Sequence, residues 1–171
     1  ITDGNTDTKL HLFYNKPVST YNTDANALYK ANLFSVMRQV YFSPKNKKSL
    51  DMMVFINGIP VISFELKNEL TKQTVKNAIK QYKEDRDPSE EIFRLGRLIV
   101  NFAVDTEETW MCTHLKKEKS YFLPFNKGYN NGAGNPPNEG IKTDYLWKEI
   151  LTKHNLTDII QNFCQQITEE K

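Results

Sequence analysis

Cysteine is scarce in this chain: two residues in 171, Cys112 and Cys164. They lie far apart and form no Cys-x-x-Cys pair, which argues against a zinc ribbon or a redox motif and leaves two reduced thiols as the expectation. Histidine is as sparse, and His11, His114 and His154 share no ligand spacing, so each reads as structural or exposed. No run approaches the 18 or so apolar residues that a membrane span needs. The opening residues Ile1–Asn5 are polar without Lys or Arg, so no secretory signal is expected. There is no Gly-x-x-x-x-Gly-Lys-[Ser/Thr] phosphate loop, and no internal repeat. Charge of either sign is nearly balanced, with 23 Lys and Arg against 21 Asp and Glu for a net +2. A general attraction to a polyanion is therefore not evident.

What is present suits a folded domain: 39% apolar and 26% charged residues. Leu10–Tyr14 reads as a short strand or a helix start. A helix is expected from Thr23, capped by Thr23 or Asp24, and a strand over Leu33–Phe42, broken by the basic loop Ser43–Lys48. The clearest local pattern follows. Two β-prone runs, Leu50–Ile56 and Ile59–Lys67, flank Asn57-Gly58, a hairpin signature. Thr71–Asp87 turns helical, with Val75, Ala78, Ile79 and Tyr82 on one stripe, until Pro88 ends it. Leu98–Val104, Thr109–Leu115 and Tyr121–Phe125 read as further strands. Gly128–Gly140 carries four of the seven glycines and two of the seven prolines and reads as a loop or linker. Tyr145–Leu151 and Leu156–Ile167 read as two helices.

Asp51, Glu65 and Lys67 carry the chemistry. Glu65 and Lys67 are two apart on a strand and leave the same face, at the end of the apolar run Val61–Phe64. Such a charged pair is costly to bury without a partner. Asp51 lies at the outer end of the neighbouring strand. Two carboxylates brought together repel, a divalent cation relieves the repulsion, and hard oxygen ligands, with the Leu66 carbonyl as a further one, favour Mg²⁺. Lys67 could then orient a water, help deprotonate it or neutralise a phosphoryl charge. The register decides whether these groups meet. A strict two-residue loop pairs Ile56 with Ile59, sets Asp51 against Phe64 and sends it to the wrong face. One bulge, or a three-residue loop, sets Asp51 against Glu65. A surface salt bridge is the competing account of the same residues.

These residues resemble the PD-(D/E)xK nuclease core: Asp51, thirteen intervening residues, then Glu65-Leu66-Lys67 after an apolar strand. More narrowly, the chain resembles the N-terminal nuclease domain of the R (restriction, or motor) subunit of type I restriction-modification enzymes. Phe64–Asn68, Ala78–Lys83 with Asp85–Pro88, Asn101–Asp105, Tyr121–Gly128 and Gly132–Pro136 all contribute, over roughly residues 30 to 165. The resemblance implies an α/β fold, a central mixed β-sheet flanked by α-helices. It implies Asp51 and Glu65 as metal-binding and catalytic carboxylates, Lys67 as the catalytic lysine, and Mg²⁺, replaceable by Mn²⁺, as cofactor. The family tends to carry Gln-x-x-x-Tyr on the following helix. Here Gln81 is present, but position 85 is Asp and the tyrosine is the adjacent Tyr82.

Gln81 lies about 110° from the centre of the apolar stripe and Arg86 only about 30°. A charge so nearly in line with a core stripe calls for a phosphate or carboxylate partner, unless the Arg is laid over the helix end. Lys45, Lys47 and Lys48 could touch DNA phosphates without reading sequence, or form a solvated loop; Lys116, Lys117 and Lys119 read as a solvated turn. The organisation expected is a nuclease domain over 1–127, a loop over 128–141, and C-terminal helices over 142–171 leading toward an ATPase and translocase domain outside this chain. ATP would act only there. The implied partners are double-stranded DNA and the modification and specificity subunits, with no membrane, in the cytoplasm. Two rival readings are a catalytically silent docking module of the same complex and a stand-alone repair nuclease of the same fold.

Overall fold

The computed structural model describes residues 2–3, 6–7 and 11–165. Two short strands, β1 (Thr2–Asp3) and β2 (Thr6–Asp7), pair with each other. The main sheet has six strands in the order β3 (Phe34–Tyr41), β4 (Ser49–Ile56), β5 (Ile59–Leu66), β6 (Val100–Val104), β7 (Thr109–Cys112) and β8 (Leu123–Pro124). Strand order follows chain order, and only β5 and β6 run parallel. A parallel pair needs a crossover. Here it contains helix α2 (Val75–Asp85), entered by a 3₁₀ turn at Glu69–Thr71. The result is the α/β architecture expected, a mixed sheet with helices against it.

The β4–β5 turn is tight, with Asn57 at φ 51° and Gly58 at φ 80°, the left-handed pair that a two-residue hairpin requires. Ile56 faces Ile59 and Phe55 faces Pro60, as a strict two-residue loop dictates. The register then slips. Val54 faces Ile62, Met53 faces Ser63 and Met52 faces Phe64, so Val61 is the extra residue of a bulge. The Asn57 side chain ties the turn to earlier chain: its Oδ1 accepts from the Leu33 amide (2.7 Å), and its Nδ2 donates to the Leu12 carbonyl and Asn32 Oδ1 (both 3.0 Å).

The sheet buries both faces. One carries Met53, Ala103 and Cys112 against Val75, Ala78 and Tyr82 of α2, with Phe93, Leu115 and Phe122. The stripe named from the sequence is thus the buried face of α2, with Ile79 at its margin. The other face carries Val54, Ile56, Ile62, Phe64, Val100, Phe102 and Val104 against Tyr145, Leu146 and Leu156. β6 is buried along its whole length, as a strand covered on both faces must be. A polar file crosses the first core: the Tyr82 hydroxyl meets Ser63 Oγ (2.8 Å), Ser63 Oγ donates to Asn101 Oδ1 (2.7 Å), and Asn101 Nδ2 donates to the Cys112 carbonyl (3.1 Å).

Several local expectations change. Helix α1 spans Thr23–Ala31, but its cap is Asn22, whose Oδ1 accepts from the Ala25 amide (3.0 Å). Residues 11–14 form neither strand nor helix; Leu10 lies outside the described residues. β7 stops at Cys112. Tyr145–Leu151 is not an ordinary α-helix: Leu146–Ile150 form a π-helical turn, closed by the Leu151 amide on the Leu146 carbonyl. Helix α3 covers Lys153–Asn162, starting and ending earlier than expected, with Phe163 as its C-cap and 164–165 irregular; 166–167 lie outside the described residues. The glycine-rich segment is held by hydrogen bonds. Buried Asn135 accepts from the Lys127 amide (2.8 Å) and donates to the Glu107 carbonyl (2.8 Å) and Asn126 Oδ1 (2.9 Å). Cys112 is buried, Cys164 exposed, and both are free thiols. Among the described residues no helix is long and apolar enough to cross a membrane.

Asp105 fixes where α2 begins. Its Oδ2 accepts from the Val75 amide (2.6 Å), the first residue of the helix, and its Oδ1 from the Glu107 and Glu108 amides (2.8 and 2.7 Å). One carboxylate thus serves a helix N-terminus and the β6–β7 turn. Asp105→Ala is expected to lower stability by about 2 kcal/mol, read as a fall in Tm of about 4–8 °C for a chain of this size; an unchanged Tm would show that water replaces the carboxylate.

Candidate active site

The bulge has the consequence the sequence left open. The shifted β4–β5 register runs to Met52 against Phe64, and Asp51 and Glu65 are the next residues of the two strands. The Glu65 side chain meets Arg86 at the end of α2, and Asp51 is near enough for its charge to bear on the Glu65 carboxyl. Asp51 Oδ2 accepts a hydrogen bond from the Leu66 amide (2.8 Å) and lies 3.7 Å from Lys67 Nζ. The Lys67 amide donates to the Val104 carbonyl (2.9 Å), so the chain stays held to β6 just beyond the end of β5. Asp51, Glu65 and Lys67 are therefore brought together. Their depth is graded: Glu65 is fully buried, while the Lys67 side chain is 12% exposed and that of Asp51 26%. Asp51 and Lys67 form the mouth, Glu65 the floor.

Glu65 would be prohibitively costly there alone. Arg86, the residue that caps the C-terminal end of α2, supplies its partner: Nε and Nη2 both reach Glu65 Oε1, at 2.7 and 2.5 Å. Arg86 Nη2 also donates to the Ser49 carbonyl (2.9 Å), and the guanidinium lies 5.5 Å from the Phe42 ring centroid. Of the two partners open to Arg86 from the sequence, phosphate or carboxylate, the structure contains the carboxylate. The other oxygen of Glu65, Oε2, is buried without a hydrogen-bond partner. Burial pushes the Glu65 carboxyl up to about 8, with Arg86 opposing and the neighbouring Asp51 adding to the rise.

The remaining candidates are distributed differently. Lys48 Nζ pairs with Asp85 Oδ1 (3.0 Å) and donates to the Asp85 carbonyl (3.2 Å), which pins the basic loop to the end of α2 beside Arg86. Lys45 and Lys47 are exposed on that loop. Gln81 is half-buried on α2. No hydrogen bond among the described residues joins it to Asp51, Glu65 or Lys67. Lys116, Lys117 and Lys119 are exposed, as a solvated turn should be.

Two neighbours were not legible from spacing. Ser49 enters through its backbone carbonyl. Gln39, by register the β3 position opposite Asp51, has φ 52° and drops out of the β3–β4 pairing, while its Oε1 accepts from Ser49 Oγ (3.2 Å). A left-handed non-glycine residue marks a local departure from the ladder beside the site. Its signal would have needed the backbone dihedral, which sequence does not carry.

The donor set suits a hard cation. It offers two carboxylates on adjacent strands and, at Glu65 Oε2, a buried oxygen that no hydrogen bond satisfies. No cluster of three or more His, Cys, Asp or Glu that could hold a metal occurs among the described residues, so any ion here takes its remaining ligands from water or substrate.

The raised Glu65 value has a definite sign. A carboxyl that holds its proton more tightly folded than unfolded favours the fold at low pH, and that contribution is lost as pH rises from about 4.5 through about 8. Glu65→Gln does not titrate. In chelator, its stability relative to the native protein is expected to climb between pH 5 and pH 8 and level off above, as read by urea unfolding. A constant difference across that range would place the Glu65 carboxyl at an ordinary value.

A family profile described as "Type I restriction enzyme R protein N terminus" matches residues 4–120, which include every strand of the main sheet except β8 and all of the site. A protein of Methanocaldococcus jannaschii, whose name describes the type I restriction enzyme MjaIXP endonuclease subunit, is 29% identical over 85 residues. That alignment covers 50% of this chain and 8% of the relative, so the chain spans only a small part of that protein's length. With most of its length inside the family profile, and with Asp51, Glu65 and Lys67 clustered at the end of one hairpin, the chain belongs to the type I restriction enzyme R protein N-terminal family.

Proposed function

We propose that this chain is the nuclease domain of a type I restriction enzyme R subunit, hydrolysing phosphodiester bonds of double-stranded DNA with Mg²⁺. The observation that carries the reading is the cluster at the end of the bulged hairpin: Asp51 Oδ2 takes the Leu66 amide (2.8 Å), lies 3.7 Å from Lys67 Nζ, and its charge bears on the buried Glu65 carboxyl. Without the bulge the two carboxylates lie on opposite faces of the sheet and no common site exists.

Asp51, Glu65 and the Leu66 carbonyl are the groups that would hold the cation. A bound Mg²⁺ or Mn²⁺ supplies Lewis-acid polarisation of the phosphate and a more acidic water. The chain's own residues do the positioning. The Leu66 amide fixes the Asp51 carboxylate by holding one of its oxygens (2.8 Å). Glu65 sheds its proton more readily when a further positive charge approaches, since an opposite charge nearby favours the ionised form. Lys67, mostly covered and anchored beside Asp51, presents an ammonium at the mouth, where it can hold a water or offset charge that builds on the phosphoryl oxygens. The exposed Lys45 and Lys47 suit phosphate contacts that position DNA without reading it.

Within this proposal the modification and specificity subunits are the partners, sequence is read by them, and ATP-driven translocation belongs to another part of the R subunit. The site then works in the cytoplasm. Lys67→Ala and Asp51→Asn in the full-length complex are each expected to reduce DNA cleavage at least 100-fold, while ATP hydrolysis stays within twofold of native. Cleavage at the native rate in either variant would assign the chemistry to other residues.

A further inference from the structure

The two oxygens of Glu65 have opposite fates. Oε1 takes both Nε and Nη2 of Arg86, at 2.7 and 2.5 Å, and Oε2 takes nothing although it is fully buried. A carboxylate meeting an Arg fork would more commonly share itself between two nitrogens, one oxygen each. Here the guanidinium has another commitment. Its Nη2 also donates to the Ser49 carbonyl (2.9 Å), two residues before Asp51 on β4, and its plane rests near Phe42. The backbone of Arg86 is restrained as well, between the last turn of α2 and Pro88.

Arg86 therefore links both strands of the site, β4 through Ser49 and β5 through Glu65. It sets the rotation of the Glu65 carboxylate about its terminal torsion, which is otherwise a soft degree of freedom. It also leaves one chosen oxygen available.

Resting on the metal reading above, we propose that Arg86 is a positioning residue of the cation site: it holds Glu65 by Oε1 so that Oε2 is presented as the ligand. Its role is not contact with DNA, for which its 3% exposure leaves no surface.

The proposal makes a prediction opposite to simple electrostatics. Arg86 places a positive charge beside a cation site, so Coulomb's law alone says that removing it tightens cation binding. Positioning says the reverse. Residues that orient a metal ligand typically change affinity by about 10–100-fold when altered. The test is Mn²⁺ binding to the full-length subunit without nucleotide, read at 20 °C from the paramagnetic resonance signal of free hydrated Mn²⁺. Asp51→Asn is the control for the site itself. Arg86→Lys keeps the charge but loses the fork; it is expected to weaken Mn²⁺ binding about tenfold, and Arg86→Gln at least as much.

A variant that merely loosens the fold but stays folded at 20 °C would leave the affinity at the native value. Binding within twofold of native, or tighter, in Arg86→Lys overturns the positioning role while the metal site stands. If Arg86→Gln does not fold, Arg86→Lys decides alone. If the native protein binds no more Mn²⁺ than Asp51→Asn, the metal reading fails, and the role of Arg86 with it.

Discussion

A carboxylate with no solvent exposure sits at the floor of the site, and the surrounding architecture answers to it. Glu65 is reached by Arg86 from the end of α2, and Arg86 is held in turn by Ser49 on β4 and by Phe42. Removing one member of a buried pair like this leaves an uncompensated charge, at a cost of roughly 3–5 kcal/mol. The pair therefore ties the helix, the hairpin and the loop before β4 to one another through a single side chain. It does so incompletely, because Glu65 Oε2 is left unsatisfied. Beside the satisfied Tyr82–Ser63–Asn101 file, an orphaned carboxylate oxygen is a cost that a functional ligand would repay, one that the structure otherwise shows only at Thr109 Oγ1 among the described residues.

The second constraint is geometric. A strand alternates faces with period two, so one residue decides whether Asp51 and Glu65 are neighbours or strangers. The Asn57-Gly58 turn, with both residues at positive φ, locks Ile56 against Ile59. That alone separates the two carboxylates. The bulge at Val61 reverses the outcome without disturbing the turn, and both sheet faces remain apolar beyond it. A tight turn and a bulge a few residues apart thus do complementary work, one fixing the hairpin and the other re-aiming its far end.

The segments through which the chain resembled its family acquire physical reasons. Asp105 caps α2 and closes the β6–β7 turn. Asn101 carries the polar file into the backbone of β7. Asn126 and Asn135 bind the glycine-rich segment to the rest, so what reads as a linker by composition is anchored at its centre. Tyr145 and Leu146 then cover the second face of the sheet. Composition pointed to a loop because Gly, Asn and Pro are turn residues, and it said nothing of the two Asn side chains that fasten it.

The sequence by itself determined the strands of the main sheet, the hairpin and the α2 stripe, and singled out Asp51, Glu65 and Lys67 as candidates, because these rest on local propensity, turn chemistry and side-chain period. It also raised a carboxylate or phosphate partner for Arg86, against a head left in solvent, from its position on the helix. Three things were decided only by the tertiary structure. The bulge was, because either register satisfies the alternation of the strands. The choice of Glu65 as the partner of Arg86 was, because two residues twenty-one apart in the chain meet only when α2 crosses back over the sheet. The inequality of the two Glu65 oxygens was, because it depends on where Ser49 and Phe42 hold a guanidinium, a relation among four segments that no local pattern encodes.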